Sequence, residues 1–170
     1  MNVVIRNEHP EDRQAIFQVH ASAFPTDSEA QIVDALRRNE LLSVSLVAVL
    51  DEEIVGHIAF SPVTLNHRER DGLGLAPVAV LPDHQRKGIG SQLIEEGVRR
   101  CRDLQTRFVV VLGDPSYYPR FGFRRAKDWN LDNEYGADGA FMAQELIENC
   151  IPEEGGLIRY ADVFASEDKK

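Results

Sequence analysis

Val78-Ala79-Val80-Leu81-Pro82-Asp83-His84-Gln85-Arg86-Lys87-Gly88-Ile89-Gly90-Ser91 carries the chain from an apolar strand, through a glycine-bearing turn, directly into an amphipathic helix. Pro82 closes the strand, because proline brings no N–H to a sheet ladder. Downstream, Ile89, Leu93, Gly97, Cys101 and Leu104 recur at helical spacing and form one apolar stripe, with Gly97 allowing a close approach to the sheet beneath. The start of such a helix offers free amides and the positive end of its dipole, which together suit an anion. Gly88 and Gly90 let the backbone come near a pyrophosphate, and Arg86 and Lys87 add charge beside it. The run lacks the Lys-Ser/Thr ending of a Walker loop and the third glycine of a dinucleotide fingerprint. Two glycines alone fit a softened helix start without a ligand equally well.

Working outward, Phe108–Leu112 is an almost unbroken β-branched run, the pattern of a strand covered on both faces. It pairs most simply in parallel beside Leu75–Leu81, with the helix as the crossover. Before this unit, Val3-Val4-Ile5 reads as a strand. Ile16, Val19, His20 and Ala23 share the face of a helix stopped by Pro25, and a second helix runs from Asp27-Ser28, either of which could cap it, to Asn39. Ser43–Leu50 and Ile54–Pro62 form a hairpin around Asp51-Glu52-Glu53, and polar Asn66–Gly72 reads as a further turn. After Gly113-Asp114-Pro115 comes a short helical or turn segment, Ser116–Phe121. Phe141–Leu146 and Leu157–Phe164 are late strands. The pattern predicts one α/β (α+β) domain over residues 1–165, a mixed sheet with a central parallel βαβ unit, and a disordered tail over 166–170.

The 170 residues suffice for a real core without disulfide or metal staples. Cys101 and Cys150 lack the spacing of a disulfide framework or zinc site and suit a reducing, cytoplasmic setting. No run reaches the roughly 18 apolar residues of a membrane span, and Met1–Gln14 is too charged for a signal peptide. A net charge of −9 argues against nucleic-acid binding. That charge is uneven. Residues 1–60 hold 4 basic and 10 acidic side chains, residues 61–130 hold 12 and 8, and residues 131–170 hold 3 and 10. The basic middle either faces an anion or is a fluctuation on a solvated surface.

Gln85-x-x-Gly88-x-Gly90 after a strand end resembles the acetyl-CoA signature of the GCN5-related N-acetyltransferase (GNAT) superfamily, and Tyr118-Pro119-Arg120-Phe121-Gly122-Phe123 resembles the Tyr-x-x-x-Gly-Phe block that follows the next strand there. Gly56-His57-Ile58, Leu112-Gly113-Asp114-Pro115 with Tyr117-Tyr118, and Arg159-Tyr160 are similar to a branch of bacterial acetyltransferases, many without an assigned acceptor. The resemblance implies a mostly antiparallel sheet whose central parallel pair splays, with helices on both faces. It implies acetyl-CoA as co-substrate and no metal, with the pantetheine arm inserted along Val78, Ala79 and Val80. The pyrophosphate would then meet Gln85, Arg86, Lys87, Gly88, Ile89, Gly90 and Ser91, with Tyr117 and Arg120 nearby. The partner is an amine on a small molecule or a protein, with neither nucleic acid nor membrane involved; a homodimer stays open.

On this resemblance the protein transfers acetyl directly to a primary amine; the alternative is a non-catalytic acyl-CoA-binding or regulatory module. Main-chain amides near Val80 would polarise the thioester carbonyl. Tyr118 is placed by motif to give the departing thiolate a hydrogen bond, or else it simply packs beside Pro119. Full proton transfer from a tyrosine near ~10 to a thiolate near ~8.5 is uphill by about 2 kcal/mol, so replenishment from the product ammonium is required. For the base, Glu29 at the start of the second helix and His57 on the third strand are both candidates. Their plainer readings are dipole compensation and a satisfied core histidine. Asp114 reads as a turn former, and Arg120, Arg124, Arg125 and Lys127 as a local cationic run. The acid-rich flanks would attract an ammonium acceptor.

Overall fold

In the computed structural model, which describes residues 2–168, strand β1 (Val3–Asn7) lies at the edge of a nine-stranded mixed sheet. Helices α1 (Arg13–Ala23) and α2 (Ser28–Arg38) follow, with Pro25 in the break between them. β2 (Val44–Leu50) and β3 (Glu53–Leu65) form the first hairpin and β4 (Arg68–Val80) continues the meander. Helix α3 (Ile89–Asp103) crosses to β5 (Phe108–Leu112), parallel to β4. The remainder comprises β6 (Arg124–Arg125), β7 (Leu131–Asn133), β8 (Phe141–Glu145), β9 (Gly156–Arg159) and α4 (Asp162–Asp168). The main order is β1-β2-β3-β4-β5-β8-β6, with β9 pairing β3 and β7.

Strand alternation sends β3 side chains to two different layers. Ile58 and Phe60 join a core with Ile89, Leu93, Ile94, Val98 and Cys101 of α3. A Cβ at Gly97 would overlap the Phe60 ring, so glycine sets how near α3 can lie to the sheet. On the opposite face Ile16 of α1 and Val33 of α2 pack on Val47. Helices therefore cover both faces, and the parallel pair sits centrally in an otherwise mostly antiparallel sheet.

Several boundaries differ from the sequence expectation. The turn expected over Asn66–Gly72 is only Asn66-His67, both at positive φ (52° and 66°), as a two-residue hairpin turn requires. Residues 68–71 look loop-like in sequence because this end of the hairpin projects into water on both faces. Leu104 leaves the α3 stripe and is 57% exposed beyond the helix end. The strand expected over Leu157–Phe164 stops at Arg159, and α4 begins at Asp162; a short apolar run does not distinguish a strand from a helix by period. The tail expected from 166 begins within α4, and residues 169 and 170 lie outside the described residues.

Candidate active site

β4 and β5 do not run together over Leu75–Leu81. They pair only at Gly72↔Phe108, Leu73↔Val109 and Gly74↔Val110, and then part. The cause lies in β4: its register against β3 shifts between Ile58↔Val78 and Phe60↔Leu75, leaving an extra residue around Ala76-Pro77. Such a bulge bends the strand, and Pro77 offers no N–H to a neighbour. Beyond it the main chain of β4 has β3 on one side and an open edge on the other. The Leu81 N–H donates to Val55 O on β3 at 2.8 Å. Amides alternate sides along a strand, so the N–H groups of Val80 and Val78 point to the open edge. Ala79, between them, pairs with His57 of β3.

The turn follows at once. Gln85 Nε2 donates to Val80 O at 2.9 Å, tying the turn to the strand end. Arg86 and Gly88 both take positive φ (63° and 84°), and Gly88 stands at the N-cap of α3 with no side-chain cap on the first amides. A Cβ on Gly90 would come to 3.9 Å from both the Tyr117 hydroxyl and Val80 Cγ2, so strand end, turn and Tyr117 meet in one place. Ser91 Oγ and Tyr117 Oη are hydrogen-bonded at 2.9 Å. Arg120 Nε donates to Tyr117 O at 2.9 Å and its guanidinium lies 4.6 Å from the Tyr117 ring centroid. Ile89 is buried, leaving only its main chain for a ligand. The structure thus brings Val78, Val80, the 85–91 turn, Tyr117 and Arg120 together.

The basic middle of the chain is partly neutralised by acids of its own and by Asp138 of the flank that follows. Arg99 pairs with Glu96 and Asp103, Arg100 with Glu96, Arg124 with Asp128 and Lys127 with Asp138. Among the described residues Arg86, Lys87 and Arg120 have no ion pair, and these are the cations beside the turn.

Tyr118 is 7% exposed, its ring against Gly113, Phe121 and Phe123. Burial, with Tyr117 adding to it, pushes the Tyr118 hydroxyl up to about 12. Asp114 is a turn former: its Oδ1 accepts from Ser116 N (2.8 Å) and Ser116 Oγ (2.7 Å), while its carbonyl accepts from the amides of Tyr117 and Tyr118.

Where β4 and β5 part, a cavity of about 280 Å³ opens between Leu75, Ala76, Leu112, Ile32 of α2, Phe164 of α4, Tyr135 and Tyr160. Sequence reasoning missed the two tyrosines as site residues. Arg159-Tyr160 stood out as a shared dipeptide, but its position depends on the β9–β3 pairing, which no local pattern announces. The Tyr160 hydroxyl is buried with no hydrogen-bond partner among the described residues. None of the acidic flank side chains lines this cavity. Glu29 is half-buried on the first turn of α2, three residues before Ile32 and so on the same helix face, and has no ion pair among the described residues. A larger hollow of about 490 Å³, bordered by Arg13, Phe17, Arg37 and Arg38, involves neither the parted strands nor the glycine turn.

His57 occupies different surroundings. It is fully buried; Nδ1 meets His20 Nε2 at 2.8 Å and Nε2 meets Ser45 Oγ at 2.8 Å. Ser45 donates to the Glu8 carboxylate, which is also held by Arg37 at 2.8 and 3.0 Å. Because Glu8 can only accept, Ser45 must accept from His57 Nε2–H, and His57 Nδ1 must accept from His20. Burial lowers His57 against the pull of Glu8, and burial beside His57 lowers His20 to about 3, so both rings are neutral. Burial alone would raise Glu8, but His57, Arg37 and Ser45 hold it well below the usual carboxylate range. With both ring nitrogens engaged, His57 has no lone pair for a substrate.

No group of three or more His, Cys, Asp or Glu among the described residues is placed to hold a metal ion, and no helix among them is long and apolar enough to cross a membrane. The acetyltransferase (GNAT) family model matches residues 7–123. The chain is 34% identical over 164 residues to the uncharacterized N-acetyltransferase YhbS of Escherichia coli, covering 95% of this chain and 98% of that protein. The E. coli YhbS structure in complex with CoA superposes with a TM-score of 0.92 at 32% identity, covering 97% of this chain and 93% of that one. A GNAT family acetyltransferase from Brucella melitensis in complex with acetyl-CoA gives a TM-score of 0.82 at 38% identity, covering 96% and 98%.

Proposed function

The chain belongs to the acetyltransferase (GNAT) family, and from that premise we propose that it moves the acetyl group of acetyl-CoA to a primary amine by direct attack on the bound thioester. The observation that carries this reading is the early end of the β4–β5 pairing, with the Val78 and Val80 amides open and the uncapped Gly88 turn directly beyond. CoA bound to E. coli YhbS and acetyl-CoA bound to the Brucella melitensis protein support the same donor here.

The pantetheine amides pair with the open edge of β4 as a missing strand would, and the pyrophosphate takes the α3 amides with Arg86, Lys87 and Arg120 around it. The amine nitrogen attacks the thioester carbon, forming a C–N bond, and a β4 amide donates to the carbonyl oxygen as it gains charge. Collapse breaks the C–S bond and gives an N-acetyl amine and coenzyme A. The proton lost from nitrogen equals the one gained by sulfur. With its hydroxyl near 12, Tyr118 lies about 5 kcal/mol above a thiol as a free acid, so it hands on a proton while regaining one from the ammonium. Glu29 takes the proton of the entering ammonium, directly or through water.

A covalent thiol route has no support, since Cys101 is buried with its thiol pushed up to about 12 and Cys150 is raised by burial and by Glu145. The test is to follow free thiol with acetyl-CoA and a panel of primary amines. Release that needs the amine and yields an equal amount of N-acetyl product is expected. Acetyl-CoA binding without amine-dependent release would favour an acyl-CoA-binding module instead.

A further inference from the structure

The cavity where β4 and β5 part is apolar and aromatic, and this constrains the acceptor. Of the residues that line it, Ile32, Leu75, Ala76, Leu112 and Phe164 are hydrocarbon, and Tyr135 and Tyr160 contribute rings. The rings form a group: Tyr135 and Tyr160 lie 6.3 Å apart between centroids, and Tyr160 meets Phe164 edge-on at 5.5 Å. No lining side chain carries a formal charge. At about 280 Å³ the cavity lies at the small end of ligand pockets, which run ~300–1,000 Å³, and suits a small ligand.

One polar atom is out of balance with this surface. The Tyr160 hydroxyl is buried without a partner, a state that native proteins avoid unless a ligand or water completes it. Its position is defined. The ring lies against Gly74, the last residue of β4 still paired with β5, and its backbone N–H donates to Glu134 Oε1 at 3.3 Å. Tyr118, whose ring lies against Gly113, stands next to Leu112 at the same parting of the strands.

We propose that the acceptor is a small apolar primary monoamine, aryl-alkyl or branched alkyl, whose hydrocarbon body fills this cavity and whose reacting N–H is held by the Tyr160 hydroxyl. This rests on the acetyltransfer reading above and narrows it. The hydroxyl accepts from the amine and leaves the nitrogen lone pair free to point at the thioester. A second ammonium, as in a polyamine, would enter an apolar lining, and the carboxylate next to it, Glu134, is already held by Arg159 Nε and the Tyr160 N–H. A carboxylate on an amino acid would be equally unmatched. The half-buried carboxylate of Glu29, on the face of α2 that also carries Ile32 and with no ion pair among the described residues, matches one cationic nitrogen rather than several.

The experiment measures kcat/KM by thiol release and mass-detected product for phenethylamine, isopentylamine, spermidine and kanamycin at saturating acetyl-CoA, with wild type and Tyr160→Phe. Both monoamines should exceed spermidine and kanamycin at least tenfold. Tyr160→Phe should lower kcat/KM for phenethylamine about tenfold while the acetyl-CoA Kd stays unchanged, a separation that mere loosening of the fold would not give. If Tyr160→Phe does not fold, Ile32→Phe, which narrows the cavity from α2 and away from the β4 edge, must lower monoamine turnover at least tenfold and spare donor binding. Faster acetylation of spermidine or kanamycin overturns the acceptor assignment and leaves acetyltransfer standing. Acetyl-CoA binding with no thiol release from any amine overturns acetyltransfer itself, and the acceptor assignment with it.

Discussion

At the scale of single residues, two kinds of neutral, buried side chain do different work. Tyr118 keeps its proton because burial raises its hydroxyl, and that is what a donor to a departing thiolate needs. Tyr118→Phe should therefore lower kcat by on the order of a hundredfold with little change in acetyl-CoA Kd, measured by thiol release and calorimetry. His20 and His57 are neutral for the same reason with the opposite shift, burial lowering rather than raising them, and they belong to a structural chain ending at Glu8 and Arg37. His20 titrates near ~6.5 when unfolded and at about 3 when folded. Between those values the unfolded chain binds more protons, so the contribution is complete above pH ~6.5 and falls away towards pH 3. Glu8, also depressed on folding, changes stability in the same direction. Urea denaturation should show a loss of about 2 kcal/mol from His20 between pH 7.5 and pH 5; a flat profile would show that the ring is not neutral inside the fold.

At the scale of elements, the working parts are a strand that leaves its partner and a helix that starts immediately after it. Gly88 belongs to the second. Its φ of 84° is one that a side chain adopts poorly, although a Cβ there would touch nothing, so Gly88→Val should act through the turn rather than the core. Acetyl-CoA Kd should rise about tenfold or more, while the strain of the turn costs about 1–2 kcal/mol of stability, a fall of a few degrees in Tm. Gly97 is the converse case, where the cost is packing against Phe60. Gly97→Val should destabilise by on the order of 1–3 kcal/mol, read from chemical denaturation. Both glycines stand out in the sequence, but only the structure separates their reasons. The βαβ unit, both N-terminal helices and the first hairpin were legible because their periods are clear and their ends are punctuated by Pro25, Pro82 and the Asp51-Glu52-Glu53 turn. The parting of β4 from β5 was available only by resemblance, since it arises from a bulge at Ala76-Pro77 that leaves no periodic trace. On the acceptor side only Glu29 was named, through the resemblance; the cavity was not legible, because Ile32, Leu112, Tyr135, Tyr160 and Phe164 come from widely separated segments joined by tertiary pairing.

For the whole molecule, the charge arithmetic takes on a narrower meaning. The excess of cations between residues 61 and 130 is not a single anion-binding surface, since several of them are held by Glu96, Asp103, Asp128 and Asp138. Arg86, Lys87 and Arg120 are left beside the glycine turn, where a polyphosphate would lie. Donor affinity should thus weaken with ionic strength, and Arg86→Ala with Lys87→Ala together should raise acetyl-CoA Kd on the order of tenfold and flatten that salt dependence. The acid-rich ends do not line the acceptor cavity, so net charge says little about which amine reacts. The claim on which everything else depends is that donor and protein join along the open edge of β4. Amide-resolved NMR of the protein titrated with acetyl-CoA tests it directly. The Val78 and Val80 amides and those of residues 88–91 should show the largest shifts and slowed hydrogen exchange. Binding that moves other amides and leaves residues 78–91 unchanged would contradict it.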